Sequence, residues 1–379
     1  MTAPAQSPSV RVAFVSSHAR LGGAERVLET LVEALGPAWE AGMVALEEGP
    51  FARRLDARGH RVEVVPAGRR GVDVAVAARR LRPVLRRMTP QVVHANGVKA
   101  ALVTVLARPG APVMWMKHDF ARDGWQARWI ARRCAAVVGV SGAVLETFGG
   151  RLGGRAAVIH NGLRLPATDR AAGRAALLAA MGHPEPSAVV ALVGRVDPFK
   201  GHRELLEIAT TLRGSVPGVA FAFVGAEDPA HPGTVAALRR RAAELGVADA
   251  VRFLGYRDDA VDLIAGADVL TVPSVPDASG MGREGFPLVA IEALAAGTPV
   301  IAYAHGGVPE LVGDCGRLVP PGDRRHLLAA LVEVLTDAAL RERLSLCGRA
   351  RARDAFSVEH MAGAMAARYR AVAAGGMLP

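Results

Sequence analysis

Short apolar runs recur along this chain, each followed by a stretch that suits a helix, and that alternation leaves few folds open. The runs are Val10–Val15, Arg61–Val65, Val92–His94, Val113–Met116 and Ala136–Val140, then, after a gap, Ala188–Val193, Ala220–Val224, Val251–Leu254, Val269–Val272 and Val300–Tyr303. Several are apolar at every position, as in a strand buried on both faces, and strands alternating with helices build a parallel sheet covered on both sides. The gap, residues 166–186, is less apolar and contains Ala, Gly and Pro, which suits a linker with a short helix. At 379 residues the chain exceeds one typical domain. The expectation is an α/β protein of two doubly wound, Rossmann-like parallel-sheet domains facing a cleft. They span 1–165 and 166–357, the second opening with the 166–186 linker, and residues 358–379 follow as a C-terminal helix. Ligands should bind outside the C-terminal ends of the strands.

Composition narrows the classes. Apolar residues make up 51% and aromatics 4%, so the cores must be built from Val, Leu, Ala and Ile. Met1–Ser9 has neither the basic start nor the apolar run of a signal peptide. No apolar run approaches the roughly 20 residues that span a bilayer. Cys134, Cys315 and Cys347 are odd in number, widely spaced and without metal-ligand spacing, which reads as small buried thiols in a reducing cytoplasm. The net charge of +10 is uneven: residues 1–165 hold 24 Lys+Arg against 12 Asp+Glu, and the remainder holds 22 against 24. The excess includes the stretch Arg79–Arg87. It suits an anionic membrane surface or an acidic acceptor, or equally a solvated basic helix in an arginine-rich chain. With 43 Arg and only 3 Lys, the positions of Lys99, Lys117 and Lys200 are informative, and each lies in or beside a motif.

The densest chemistry lies at Glu284-Gly-Phe-Pro-Leu-Val-Ala-Ile-Glu292, followed by Gly297 and Pro299. This reads as a loop, a helix with Pro287 in its first turn and a stop at Gly297, then a strand. Glu284 would sit just before the helix and Glu292 about two turns along it. A helix N-terminus holds anions, and a nearby carboxylate hydrogen-bonds hydroxyls, a combination that suits a sugar nucleotide. The plain alternative is two solvated helix charges. Gly194-Arg195-Val-Asp-Pro-Phe-Lys200-Gly201 follows a strand and sets two cations before a helix, as a leaving diphosphate requires. It lacks the spacing of a Walker A loop. Gly22-Gly23 opens the first helix and lets backbone N–H groups approach a ligand. His94 and His118 each follow a strand, where a neutral imidazole can meet a sugar or acceptor hydroxyl, structural histidines being the alternative. Asn161-Gly162 marks a turn at the domain junction. No Gly-x-Gly-x-x-Gly follows a strand, which argues against a dehydrogenase.

Taken together, these segments resemble the retaining glycosyltransferases of family four, which have the GT-B fold. The pieces that carry the resemblance are Gly22-Gly23, His118, Asn161-Gly162, Arg195 with Lys200, Gly255 in Phe-Leu-Gly-Tyr, Glu284 with Glu292, Gly306–Glu310 and Gly316–Gly322. The resemblance implies that His118, Arg195, Lys200 and Glu284 are the catalytic set, with Arg195 and Lys200 on the donor diphosphate. It further implies that Glu292 binds the ribose, that Gly285, Phe286, Pro287 and Leu288 lie along the donor sugar, and that Gly255 and Tyr256 lie near the base. Gly22, Gly23 and Asn161 would complete the donor site, and His94 would meet the acceptor. The C-terminal helix would pack back on the N-terminal domain, and protein cations would replace a metal. Family members usually have Gly where this chain has Pro287, and the loop Ser274–Arg283 is long.

The activity expected is metal-independent glycosyl transfer with retention, from a nucleotide-diphosphate sugar, with uridine diphosphate the commonest base. The acceptor would be a lipid-linked, polysaccharide or small natural-product hydroxyl. The enzyme would be cytoplasmic, or peripheral on the inner membrane face. Front-face attack is preferred over a double displacement through a carboxylate. Two rivals stand beside it: a nucleotide-sugar epimerase on the same fold, and a non-catalytic sugar-nucleotide-binding protein. A metal-dependent phosphate hydrolase is disfavoured by the lack of metal-site spacing.

Overall fold

The structure, a computed structural model, describes residues 9–20, 22–68, 70–165, 167–182, 186–277 and 280–375. Leu21, most of the N-terminal segment, parts of the linker and of the loop after Ser274, and the last four residues lie outside the described set. Contacts divide the chain into two units, Met1–Arg164 with Ser357–Pro379, and Leu165–Phe356.

The first unit holds seven parallel strands: β1 (Val12–Ser16), β2 (Glu40–Ala45), β3 (Val62–Val64), β4 (Val92–Asn96), β5 (Val113–Lys117), β6 (Ala136–Gly139) and β7 (Ala156–Val158), in the order β3-β2-β1-β4-β5-β6-β7. The second holds six: β8 (Ala188–Val193), β9 (Val219–Val224), β10 (Val251–Gly255), β11 (Val269–Val272), β12 (Val300–Tyr303) and β13 (Gly316–Val319), in the order β10-β9-β8-β11-β12-β13. In both sheets the order reverses beside the first strand, between β1 and β4 and between β8 and β11. At such a point the flanking loops part and leave a crevice at the strand C-termini.

The apolar runs of the sequence became strands because both faces are covered. Phe14, Val15, Val93 and Trp115 are fully buried in the first unit, as are Val190, Phe221, Phe223 and Ile301 in the second. Strands β2, β7 and β13 carried no comparable signal. β2 contains Glu40 and Gly42, β7 is three residues long, and both β7 and β13 lie at sheet edges.

One expectation, that of three thiols, needs correction. The short helix expected in the 166–186 segment is Arg170–Met181, a packed element of the second unit. Asp169 caps it by accepting from the backbone N–H groups of Ala171 and Ala172. It meets the helix Ala260–Gly266 so closely that a Cβ on Gly173 would lie 2.4 Å from the Asp262 carbonyl oxygen. The cysteines are not three thiols. Cys315 and Cys347 form a disulfide across a Cα separation of 5.1 Å, and Cys134 alone is free and buried. Spacing could not show this, because the bond ties a turn before β13 to the middle of the helix Ala338–Ala355. Finally, Arg79, Arg80, Arg82, Arg86 and Arg87 sit on the exposed side of the helix Gly71–Met88, whose Ala77, Leu81, Leu85 and Met88 are buried. No helix among the described residues is long and apolar enough to cross a membrane.

Candidate active site

In the second unit the switch point is built by the loops after β8, β11 and β12. The loop after β8 is shaped by Asp197, which is 4% exposed and accepts from the backbone N–H groups of Phe199 (2.9 Å) and Lys200 (3.0 Å). That turn delivers Lys200 and then Gly201, which begins the helix His202–Ser215 at φ 82°. Gly201 is required twice over. Its backbone is left-handed, and a Cβ there would lie 2.0 Å from the Pro273 carbonyl oxygen in the loop after β11. The two loops are therefore in backbone contact, and the Val275 N–H donates to the Phe199 carbonyl at 2.7 Å.

Glu284 closes this arrangement. Its Oε1 accepts from Lys200 Nζ at 2.7 Å and from Ser274 Oγ at 2.6 Å. Burial pushes the Glu284 carboxyl upward, but the Lys200 charge and the hydrogen bonds from Lys200 and Ser274 outweigh it, and its pKa falls below the ordinary value. The group is thus a buried carboxylate, held ionised. A lysine ammonium has three N–H donors. One goes to Glu284, and Lys200 remains partly exposed, so two can reach oxygens of a ligand. The backbone of Glu284 is held from the loop after β12: the Gly307 N–H donates to its carbonyl at 2.9 Å. A Cβ on Gly306, at φ 58°, would come within 2.0 Å of that same oxygen. His305 Nε2 lies 2.8 Å from the Ser274 carbonyl, and burial depresses the pKa of the ring.

Arg195 stands on the same β8 loop but faces another carboxylate. Its Nη1 donates to Asp228 at 3.1 Å, past the end of β9, while 62% of its side chain stays exposed. Glu284 leads through Gly285, Phe286 and Pro287 into the helix Leu288–Ala296, with Pro287 as its N-cap rather than in its first turn. Phe286 is buried with its ring edge-on to Phe356, so only its backbone is placed to meet a ligand. Glu292 is buried just over one turn along this helix, not two. Gly255 ends β10, two strands from β8, and Tyr256 follows it. Tyr256 is exposed and donates to Asp258 at 2.9 Å.

In the first unit the segments after β1 and β4 bring His18 and Lys99 to Glu47, at 3.1 and 3.0 Å, and set an imidazole and an amide beyond them. His118 follows β5, and its Nε2 lies 2.5 Å from Asn96 Oδ1 at the end of β4. Asn96 Nδ2 donates to the Ala24 carbonyl at 3.3 Å, in the first turn of the helix Gly23–Leu35. With its amide nitrogen so engaged, the Asn96 oxygen must accept. His118 therefore carries its proton on Nε2 and presents Nδ1 as an acceptor. Burial, with the Lys117 charge adding and Asp119 opposing, pushes the His118 pKa down to about 4, so the ring is neutral at physiological pH. Lys117 is fully buried, pairs with Asp123 at 2.7 Å and donates to the Asp119 carbonyl, fastening the loop behind His118. Gly22 is the N-cap of the helix that Gly23 begins, and a Cβ on Gly22 would lie 2.6 Å from Glu25 Oε2.

Two family models match this chain. One, described as Glycosyltransferase Family 4, covers residues 21–165. The other, described as Glycosyl transferases group 1, covers residues 187–337. The chain belongs to the family-four glycosyltransferases. Among curated relatives of this chain, the D-inositol 3-phosphate glycosyltransferase of Streptomyces avermitilis is 36% identical over 211 residues, 53% of this chain and 43% of the relative. Its counterpart in Mycolicibacterium vanbaalenii is 38% identical over 227 residues, 57% of this chain and 48% of the relative. The chain thus matches less than half the length of these relatives. Among solved structures, Anabaena HepE in complex with UDP-glucose superimposes with a TM-score of 0.82 at 23% identity, over 96% of this chain and 100% of that one. Sucrose-phosphate synthase from Thermosynechococcus elongatus gives 0.76 at 24%, over 97% and 100%. At these identities the likeness establishes the fold, which is GT-B.

Of the residues expected at the glycosyltransferase site, the structure brings Lys200 and Glu284 into contact and sets Arg195 on the same loop as Lys200. It joins His118 to the Gly22-Gly23 turn through Asn96. It covers His94, which was expected to meet the acceptor. His94 is 1% exposed, and its Nδ1 lies 2.7 Å from the Tyr369 hydroxyl on the helix Val358–Ala373. Its ring packs between Phe14 and Tyr369, and burial drives its pKa down to about 3. The side chain of a residue in mid-β4 points into the sheet–helix layer, whereas Asn96, at the strand's end, reaches the crevice. Asn161-Gly162 likewise belongs to the packing of the C-terminal helix. Asn161 is buried, and a Cβ on Gly162 would lie 2.4 Å from the Ser357 carbonyl oxygen. Sequence reasoning passed over Asn96, Asp197, Asp228, Ser274 and His305. Each is a polar residue within a few positions of a strand's C-terminal end, which is the signal that would have found them. Among the described residues no group of three or more His, Cys, Asp and Glu is arranged for a metal ion.

Proposed function

We propose that this chain transfers a sugar, with retention at the anomeric carbon, from a nucleotide-diphosphate sugar, most simply a UDP-sugar, to an acceptor hydroxyl. The observation that carries the reading is the contact of Glu284 with both Lys200 and Ser274 at the switch point of the second sheet. It offers a fixed ammonium with two spare donors for a diphosphate beside an ionised carboxylate that accepts from sugar hydroxyls. Arg195, also partly exposed, adds a second cation. As the bond from the anomeric carbon to the phosphate oxygen breaks, negative charge grows on the diphosphate, and Lys200 and Arg195 are positioned to meet it. The acceptor oxygen bonds to the anomeric carbon from the face the phosphate leaves, and its proton passes to the leaving phosphate oxygen. Protein cations carry the charge neutralisation, so no metal is assigned to the step. Glu292 takes the ribose, and neutral His118 accepts a hydroxyl through Nδ1.

For the acceptor, the relatives named as inositol-phosphate glycosyltransferases and the positive charge of the first unit support a phosphorylated, hydroxyl-rich molecule, free or on a lipid at the membrane surface. The test is release of nucleoside diphosphate from a panel of sugar nucleotides in chelator, with and without phosphorylated polyols and lipid extracts, followed by assignment of the product's anomeric configuration. Donor-specific release that rises with an acceptor and gives the donor's configuration supports the proposal. Inverted product, or donor binding without release across the panel, overturns it.

A further inference from the structure

The first unit carries a second basic feature, at the N-terminal ends of β5, β6 and β7, the opposite edge of the sheet from Asn96 and His118. An open cavity of about 590 Å³ lies there, lined by Arg108, Arg132, Arg133 and Cys134 together with the turn from Pro109 to Pro112. Arg133 is held over the Trp129 ring, 3.8 Å from its centroid. Arg155 abuts the same wall, donating to the carbonyls of Ala131 (3.3 Å) and Cys134 (3.2 Å). Outside the cavity lining, Arg368, 5% exposed, donates to the Gly154 carbonyl at 2.8 Å and leaves its Nε without a partner.

None of these five arginines pairs with a carboxylate among the described residues. Elsewhere the chain economises on acids by sharing them: Arg54 and Arg58 share Glu29, Arg170 and Arg174 share Asp268, and Arg203 and Arg241 share Glu207. Arg108, Arg132 and Arg133 line the cavity with no acid in its lining, and clustered guanidinium groups without acids describe half of an ion-pair network whose anion is not part of this unit.

We propose that this cavity binds a phosphate-bearing anion, a phosphorylated small molecule or the phosphate of a lipid head group, at a site separate from the donor site of the second unit. Guanidinium forks match phosphate oxygens in pairs, which ammonium groups do not, and the site's only basic residues are arginines.

The probe is inorganic pyrophosphate, titrated calorimetrically into the full chain carrying Arg195→Ala and Lys200→Ala, which removes the phosphate grip of the second unit. Saturable binding is expected, weakened at least tenfold by adding Arg108→Gln and Arg132→Gln, both exposed side chains. Adding Arg80→Gln and Arg82→Gln instead, on the helix Gly71–Met88, should leave it unchanged. Vesicles of phosphatidylglycerol, with phosphatidylcholine as control, separate the sources. Co-sedimentation lost in the Arg108/Arg132 variant alone assigns a lipid phosphate, and tight pyrophosphate binding with indifferent vesicles assigns a free one. Equal losses in both variant pairs would reduce the effect to net charge and overturn the proposal, as would absence of saturable binding to either probe. These outcomes do not depend on turnover, so failure of the transferase reading leaves them interpretable.

Discussion

The two sheets share one strand order and gather different side chains where that order reverses. Between β8 and β11 the second unit gathers Arg195 on Asp228 and Lys200 on Glu284, with Asp197 shaping the loop between the two cations. Beside β4 the first unit sets a neutral histidine against an amide. The topology creates a crevice in each case, but only the side chains decide what enters it. A charged, mutually paired set suits a ligand that brings its own charge, and a neutral set with one fixed tautomer suits hydroxyls. The comparison also applies to how the units are fastened: the second is cross-linked by Cys315–Cys347, and the first keeps a lone thiol at Cys134.

The largest break expected is Lys200→Ala. Nucleoside diphosphate release should fall about 10²–10³-fold, the loss typical of one preorganised donor at a developing oxyanion, while circular dichroism still reports a folded chain. The variant also leaves Glu284 buried with Ser274 as its remaining side-chain donor. In the wild type the lowered Glu284 pKa contributes stability above the ordinary carboxylate value, lost as pH falls through the folded value. Without Lys200 the folded pKa rises, so the variant's Tm deficit should shrink from pH 7 to pH 4. A deficit that grew on acidification would show that the ion pair is not what holds Glu284.

Second in size is reduction of the disulfide, which closes a sequence separation of 32 residues. Loop entropy gives about 3–4 kcal/mol for such a span. Cys315→Ser/Cys347→Ser should therefore lower the melting transition of the second unit, and protease should then cut that unit first. Thiol titration of the unreduced, denatured chain should count one group, Cys134; a count of three would remove the cross-link.

What was legible in the sequence follows the same divide between backbone and side chain. Strands buried on both faces announce themselves, so β8, β11 and β12 were read to the residue, while β7 and β13, short and at edges, were not. Lys200 and Glu284 were legible because each lies beside a glycine that frees the backbone next to a strand end. Their contact was not, because it spans 84 positions and depends on Gly201 and Gly306 admitting carbonyl oxygens at 2.0 Å from where a Cβ would stand. The burial of His94 was not legible because it and Asn96 share one face of β4, and only the Tyr369 partner, 275 residues away, shows that His94 is covered. The Cys315–Cys347 bond joins two helical segments whose packing no spacing rule encodes.

Gly306 allows a smaller and cleaner test of the charged site. Gly306→Ala and Gly322→Ala both place a side chain at positive φ, 58° and 75°, yet a Cβ on Gly322 meets nothing within 4 Å. The latter should cost about 1–2 kcal/mol of backbone strain and leave turnover intact. Gly306→Ala should lose that much and also displace Glu284, raising KM for the donor. Equal effects would mean that the Gly306–Glu284 approach has no bearing on the site.

The neutral site is sharpened by Asn96, where the effect is smallest and most diagnostic. Asn96→Leu removes the acceptor that keeps the His118 proton on Nε2, so both tautomers populate and the Nδ1 lone pair is no longer guaranteed. Turnover at pH 7 should fall about five- to tenfold, the ~1 kcal/mol of one hydrogen bond, and nitrogen chemical shifts of labelled His118 should move from the Nε2–H pattern toward a mixture. Asn96→Asp keeps an acceptor but adds a negative charge, which favours the imidazolium and raises the His118 pKa from about 4. Because the neutral ring is the competent form, activity is lost as pH falls through that pKa, and the acid limb of the Asp variant should lie at higher pH than that of the wild type. An unmoved limb in Asn96→Asp, or a wild-type His118 protonated on Nδ1, would show that Asn96 does not set the tautomer. His118 would then present an N–H to a carbonyl or ring oxygen of its ligand rather than a lone pair to a hydroxyl.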